Sequence, residues 1–139
     1  MSGSNTRIAI VVEPNLPLGF LANTVATISI GIGAIDPELG NASLTDVMGH
    51  TVKTSSNCPV PILQASADTM KALLIKALPA PQGGFVVPFP SFARRLHLFE
   101  DYAGGFPQRN LAEEQIDGLG LIGPAKWVSS LTGSLKLLR

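Results

Sequence analysis

The residues most suited to chemistry lie where the first predicted strand passes into the first predicted helix. Residues 13–19, EPNLPLG, follow an Ile- and Val-rich run and open an apolar helix, so their backbone N–H groups could bind an anion or a carbonyl oxygen. Asn23 and Thr24 follow about one turn later, off the apolar stripe of that helix. Because ligands in open α/β sheets gather beyond the carboxyl ends of strands, Gly19, Asn23 and Thr24 are predicted to bind a ligand. A role in capping and packing alone stays open.

A second junction of the same kind lies near the end of the chain. Gly123 and Pro124 connect an apolar run to a short helix, and Lys126 stands beside them. Gly123 and Lys126 are therefore also predicted to bind a ligand. Every α/β protein has such junctions, so a purely structural reading is an equal alternative.

Other reactive side chains give weaker signals. His97 is predicted to be a surface histidine, and Cys58 a buried structural thiol without a visible activating neighbour. His50 stands in a weakly patterned loop, where a metal or acid/base role stays open although no second ligand has suitable spacing. The sequence contains no GxSxG elbow, P-loop or HExxH motif. We therefore expect no metal and no cofactor, and no catalytic residue is assigned.

Charge and composition exclude some partners and favour others. The 139 residues include ten basic and ten acidic side chains, whereas nucleic-acid binders carry a basic excess. Nucleic acid is therefore not expected as a partner. The composition is 45% hydrophobic and only 14% charged, which favours burial of surface in an oligomer, most commonly a homodimer.

Polar residues interrupt the longest apolar stretch, residues 18–35, so no membrane span is expected. A single cysteine and no evident leader favour the cytoplasm.

Hydrophobic periodicity predicts alternating strands and helices. Four strands are predicted at residues 7–13, 60–65, 85–89 and 119–122, with a further short strand near residues 46–48. The helices are predicted at residues 18–33, after Ser66 or Asp68, from Ser91 to about Ala103, and from Pro124. This alternation predicts one α/β domain over residues 1–139, with a mostly parallel sheet covered by helices.

Both ends of the chain resemble a known superfamily. The ending, IGPAKWVSSLTGSLKLLR, resembles the C-terminus of type-2 peptidyl-tRNA hydrolases, where a strand runs into Gly-Pro, a helix and a Thr-Gly-x-Leu-Lys-Leu tail. The start, EPNLPLGFLANTVATISIGIGA, is more similar to a family of unknown function in the same superfamily. The resemblance implies a mixed sheet of about four strands with helices on both faces, a homodimer, and a pocket beside the first helix and Gly123.

The chain departs from the hydrolases at the positions that carry their chemistry. They have a Gly-Lys-Gly-Lys turn before the first helix, where this chain has Leu18, Gly19, Phe20 and Leu21 and no lysine. Their aspartate after the third strand and threonine before the last strand are replaced by the stretches at residues 88–90 and 117–118. Ester hydrolysis needs a group that orients water and one that stabilises the oxyanion.

Three hypotheses follow from these departures. The first is a domain that binds a small molecule or peptide in the family pocket without efficient peptidyl-tRNA hydrolysis. The alternative is a divergent ester or amide hydrolase that acts on a peptidyl- or aminoacyl-type substrate through Asn23, Thr24 and a backbone-bound water. A third is a partner-binding dimer whose pocket is empty.

Overall fold

The computed structural model describes residues 5–139, so residues 1–4 of the predicted domain lie outside the described part. The elements in chain order are β1 (Thr6–Val12), α1 (Leu18–Ile35), β2 (Ser43–Thr45), β3 (Thr51–Lys53), β4 (Ile62–Gln64), α2 (Ala67–Ala77), β5 (Phe85–Pro90), α3 (Phe99–Gly105), β6 (Ile116–Pro124), α4 (Ala125–Thr132) and β7 (Lys136–Leu137). Short 3₁₀ helices lie at Pro37–Gly40, Ser91–Arg95, Phe106–Gln108 and Leu111–Glu113. The four main predicted strands and the helices α1, α2 and α4 are present.

The main sheet has five strands in the order β5-β6-β1-β4-β7, and β2 and β3 form a separate hairpin. Only β1 and β4 run parallel, because β6 is antiparallel to both β1 and β5, and β7 is antiparallel to β4. The sheet is mixed as predicted and has five strands where about four were expected, but the prediction of a mostly parallel arrangement is wrong. The parallel arrangement was predicted on the assumption that a crossover helix joins each strand to the next. Residues 91–115 instead turn the chain back, so β6 lies antiparallel beside β5.

Helices cover both faces of the sheet, as predicted. Alternate residues of β1 point to opposite faces, so Ala9 and Val11 pack with α2 and α4, while Ile8, Ile10 and Val12 pack with α1. The N-terminus of α2 is capped by Ser66, whose hydroxyl accepts a hydrogen bond from the Thr69 N–H group. Strand β6 is buried from Ile116 to Gly123, since it lies between two neighbours and under helices on both sides.

Helix α1 lies directly on two glycines of β6. A Cβ at Gly118 would stand 2.5 Å from Thr24 Cγ2, and a Cβ at Gly120 would overlap Ile28 Cγ2. Thr24 therefore belongs to the packed face together with Ile28 and Ile32. The prediction that Thr24 lies off the packed face is wrong, because the glycines leave room for a polar, β-branched side chain at the helix–sheet contact.

Two further local predictions are wrong. The helix predicted from Ser91 to about Ala103 breaks at Leu96, so a 3₁₀ helix precedes the short helix α3. The apolar residues that predicted one helix are divided between these two short helical segments, and Phe99 is exposed. Residues 46–48 form the hairpin turn between β2 and β3 instead of a strand, because Asp46 accepts hydrogen bonds from the N–H groups of Met48 and His50.

We predict that Gly120→Ala lowers the free energy of unfolding by about 1–3 kcal/mol, because the added methyl group forces Ile28 or the helix to move. Gly19→Ala is the matched control, since a Cβ there meets nothing within 4 Å and helix propensity favours alanine. Chemical denaturation of the two variants measures the difference. Equal stability of the two variants would show that α1 does not rest on β6 as described.

Candidate functional sites

The residues predicted near the start of α1 do not share one surface. Gly19 and Asn23 are exposed on the helix, whereas Thr24 is only 1% exposed. The Thr24 hydroxyl donates a 2.7 Å hydrogen bond to the Phe20 carbonyl, one turn earlier in the same helix. That bond satisfies the buried hydroxyl within the helix, so Thr24 acts in packing in this conformation.

Gly123 and Lys126 lie at the other end of the sheet from Gly19. In the β1–β6 register Val12 is opposite Gly118, whereas Arg7 is opposite Gly123, so the two predicted junctions are separated by the length of the strand. Gly123 is buried, and a Cβ there would stand 2.7 Å from the Gly84 Cα atom. Its lack of a side chain allows close packing.

Within residues 5–139, the two junctions of the predicted pocket stand at opposite ends of the sheet, and none of the three cavities described below joins them. Gly19, Asn23, Thr24, Gly123 and Lys126 also do not line the three cavities described below. A direct role of these five residues in ligand binding stays a prediction.

The first cavity, here called the α1 cavity, lies between α1, the β1–β4 part of the sheet and the loop that follows α1. Its volume is about 480 Å³. Its aliphatic walls come from Ile8, Val25, Ile32, Leu39, Val60 and Ile62. Hydroxyl groups of Ser29, Thr54, Ser55 and Ser56 and the backbone of Gly33 and Gly40 complete the lining, which contains no charged side chain.

The second cavity is a groove of about 600 Å³ between the other side of α1, β5 and the segment that leads into α3. Its lining includes the strongly exposed side chains of Ile30, Leu98 and Phe99, and the exposed His97. Tyr102 also lines the groove, and burial raises the pKa of its phenol. The groove and the α1 cavity thus lie on opposite sides of α1, and both have mainly apolar linings.

The third cavity is an open crevice of about 370 Å³ at the carboxyl ends of β1 and β4, with several polar residues in its lining, and is here called the strand-end crevice. The loop after β1, the start of α2 and the residues before and at the start of β7 form its walls. These are Glu13, Pro14, Asn15, Gln64, Ala65, Ser66, Thr69, Ser134, Leu135 and Lys136. The first three belong to the loop predicted to hold a ligand, and the ligand itself stays a prediction.

A buried ion pair that the sequence predictions missed lies close to the start of α1. Asp117 is 1% exposed and accepts hydrogen bonds from Arg94 Nε at 2.5 Å, Arg94 Nη2 at 2.6 Å and the Ser91 hydroxyl at 2.6 Å. The hydrogen bond with the carboxylate raises the pKa of Arg94 above its usual range. The guanidinium also lies 5.2 Å from the centre of the Phe20 ring, a cation–π distance.

This ion pair connects three parts of the fold. The carboxylate stands on β6, the arginine and serine on the 3₁₀ helix after β5, and the aromatic ring on α1. The sequence feature that could have predicted the ion pair is the aspartate near the start of the apolar run IDGLGLIG, because a charge in a buried strand requires a partner. The choice between Arg94 and Arg95 as that partner was not readable from spacing alone.

The remaining reactive residues are placed apart from one another. In the exposed hairpin turn His50 Nδ1 lies 2.8 Å from Asp46 Oδ2, and this hydrogen bond lowers the pKa of Asp46. Cys58 is partly buried against the α1 side of the core, with its sulfur 3.7 Å from the Ser56 hydroxyl oxygen. Within residues 5–139, no three His, Cys, Asp or Glu side chains are grouped as metal ligands would be.

Helix α1 has an unusually apolar and uncharged exterior. Its 18 residues are long and apolar enough to cross a membrane by length and composition, although the buried core helix of a globular domain meets the same criterion. Thr24, Ile28 and Ile32 pack on the sheet, while Leu18 and Ile30 are more than 70% exposed. This surface is compatible with the expected homodimer, which stays a prediction.

The fold described above defines a single α/β domain with a mixed five-stranded sheet between helices. The chain belongs to the family described as "Protein of unknown function (DUF2000)", which matches residues 6–139. The solved structure of a protein of unknown function from Agrobacterium tumefaciens has a TM-score of 0.88 and 17% identity, and the match covers 97% of this chain and 98% of that one. At that identity the likeness shows the fold alone. No curated protein matches the sequence.

These comparisons confirm the prediction of a family of unknown function. They do not extend to the hydrolases, so the narrower resemblance to peptidyl-tRNA hydrolases stays a prediction.

We predict that Arg94→Met lowers the free energy of unfolding by about 2–4 kcal/mol, because it leaves the Asp117 carboxylate buried without its cation. Arg95→Met, one residue further in the same 3₁₀ helix, removes an exposed cation and should change stability by no more than about 0.5 kcal/mol. Urea denaturation of both variants gives the comparison. A loss in Arg94→Met no larger than in Arg95→Met would contradict a stabilising buried pair.

Proposed function

We propose that this protein binds a small apolar molecule, or an apolar side chain of a peptide, in the α1 cavity. The observation that carries the proposal is the chemistry of the lining: aliphatic walls, four residues with hydroxyl groups and no charge. Ligand sites in proteins are usually apolar cavities of about 300–1,000 Å³ with a few polar groups that orient the ligand. The volume of about 480 Å³ falls within that range.

The uncharged lining determines which ligands are favourable. A charged group placed against these walls would lose its hydration without gaining an ionic partner, so the buried part of the ligand is uncharged. The Ser29, Thr54 and Ser55 hydroxyls can each donate and accept a hydrogen bond. The Ser56 hydroxyl, by contrast, already donates to the Cys58 carbonyl and accepts from the Cys58 N–H group. Such a lining suits a ligand with one carbonyl or hydroxyl group on an apolar body.

The loop over the cavity is held in place before any ligand arrives. The Asn57 N–H group donates to the Leu39 carbonyl at 2.8 Å, and the Asn57 side-chain amide donates to the Glu38 carbonyl at 3.0 Å. The Thr54 N–H group donates to the Ala42 carbonyl at 2.9 Å. These bonds join the two ends of the hairpin region to each other, so little ordering of the loop is required on binding.

The hydrolase alternative receives no comparable support. It requires Asn23 and Thr24 to act on a substrate together, but the Thr24 hydroxyl is buried and bonded to the Phe20 carbonyl. Neither residue lines the α1 cavity. Binding without hydrolysis is therefore the proposed activity.

We predict that N-phenylnaphthylamine, an uncharged fluorescent probe, binds the protein saturably and that Gly33→Leu weakens this binding about tenfold or more. Gly33 lines the cavity, and a Cβ there meets open space, so leucine narrows the cavity without a clash at its first atom. A tenfold change in affinity corresponds to about 1.4 kcal/mol, which is what the ligand loses when about two of its methylene groups are no longer buried. Fluorescence titration measures the affinity.

Gly19→Leu is the control, because it makes the same substitution in the same helix, also into open space but outside the cavity. It should bind the probe like the unmodified protein. Equal affinity of Gly33→Leu and the unmodified protein, or no saturable binding at all, would contradict the proposal.

A further inference from the structure

The path of the chain creates a crevice between the two parallel strands. After β1 the chain enters α1, which packs on one face of the sheet, and after β4 it enters α2, which packs on the opposite face. Because β1 and β4 are neighbours, their carboxyl ends diverge to the two sides of the sheet. Such a switch point is where open α/β sheets bind ligands.

The strand-end crevice occupies this position, and a third segment borders it. The backbone around β7 lies against β4, since the Leu138 N–H group donates to the Ile62 carbonyl at 2.9 Å and Gln64 Nε2 donates to the Leu137 carbonyl at 3.2 Å. Lys136 stands on this segment and lines the crevice. The crevice is therefore formed by residues that are distant in the sequence and are brought together only by the fold.

The wall after β1 provides a fixed negative charge. The Glu13 N–H group donates to the Asp117 carbonyl at 3.0 Å, which fixes the backbone of the loop to β6. Both carboxylate oxygens of Glu13 accept 3.2 Å hydrogen bonds from the Asn15 N–H group. A carboxylate accepts about four hydrogen bonds, so capacity for a cation or ammonium group remains.

The other walls provide complementary groups. The Gln64 amide nitrogen is bonded to Leu137, and its oxygen is an acceptor. The Thr69 oxygen accepts a 3.0 Å hydrogen bond from the Ser66 hydroxyl, so the Thr69 O–H group is a donor. Lys136 adds three donors and a positive charge. The crevice thus combines one anionic side chain and one cationic side chain with a neutral acceptor and a neutral donor.

We infer that the strand-end crevice is a second binding site, for a small zwitterion of the α-amino acid or dipeptide class. Glu13 and Gln64 bind the ammonium group, and Lys136 and Thr69 bind the carboxylate. A ligand with a single charge leaves Glu13 or Lys136 without a counterpart, whereas a zwitterion matches both. The volume of about 370 Å³ admits a dipeptide, and the site does not depend on the α1 cavity.

Isothermal titration calorimetry with glycylglycine tests the inference, with acetate and methylammonium as probes that carry one charge each. We expect glycylglycine to bind more tightly than either, and Glu13→Gln and Lys136→Met each to weaken it about fivefold to tenfold. Glu113→Gln and Lys76→Met are controls, because these exposed charges lie outside the crevice. They should leave the affinity unchanged.

The results that would overturn the inference are equally specific. No binding of glycylglycine, affinity no higher than for the two singly charged probes, or no weakening in Lys136→Met would each do so. Lys136 is exposed, so its substitution keeps the test valid even if Glu13→Gln disturbs folding. The N-phenylnaphthylamine affinity of both variants should stay unchanged, which separates this site from the proposed function.

Discussion

The close contact between helix α1 and strand β6 is the constraint on which the rest of the structure depends. Gly118 and Gly120 leave β6 without side chains where Thr24 and Ile28 cross it, so the helix rests on the backbone of the strand. The glycines weaken the strand by their conformational freedom, but β6 is held between β1 and β5 and is buried on both faces. The position of α1 on the sheet is thus set by close packing against β6.

The packing of α1 on β6 divides the surface of the domain into distinct regions. With its centre on β6, the helix leaves the α1 cavity on the side of β1 and β4 and the apolar groove on the side of β5. The Asp117–Arg94 pair holds the segment after β5 against the start of the helix, and Phe20 covers the guanidinium. The strand-end crevice lies outside this arrangement, because the diverging chain after β1 and β4 creates it.

The sequence predicted the local elements better than their arrangement. The apolar spacing of α1 depends on neighbouring residues, so that helix was readable. The start of α2 was readable for the same reason, although the sequence left Ser66 and Asp68 as alternative caps and the structure has Ser66. The antiparallel direction of β6 depends on how residues 91–115 turn, and apolar spacing does not distinguish one helix from two short turns. Thr24 was placed on the wrong face because its partners, the glycines of β6, are distant in sequence. Of the predicted loop, only residues 13–15 border one of the three described cavities, and Gly123 stands where a side chain would meet Gly84.

A double-mutant cycle between Gly120 and Ile28 tests the central contact most directly. Gly120→Ala adds a methyl group where Ile28→Ala removes several atoms, so the second substitution makes room for the first. Unfolding free energies of the two single variants, the double variant and the unmodified protein give the coupling energy. If α1 packs on β6 as described, the double variant loses less unfolding free energy than the sum of the two single losses, by about 1 kcal/mol or more. A coupling energy of zero would contradict it.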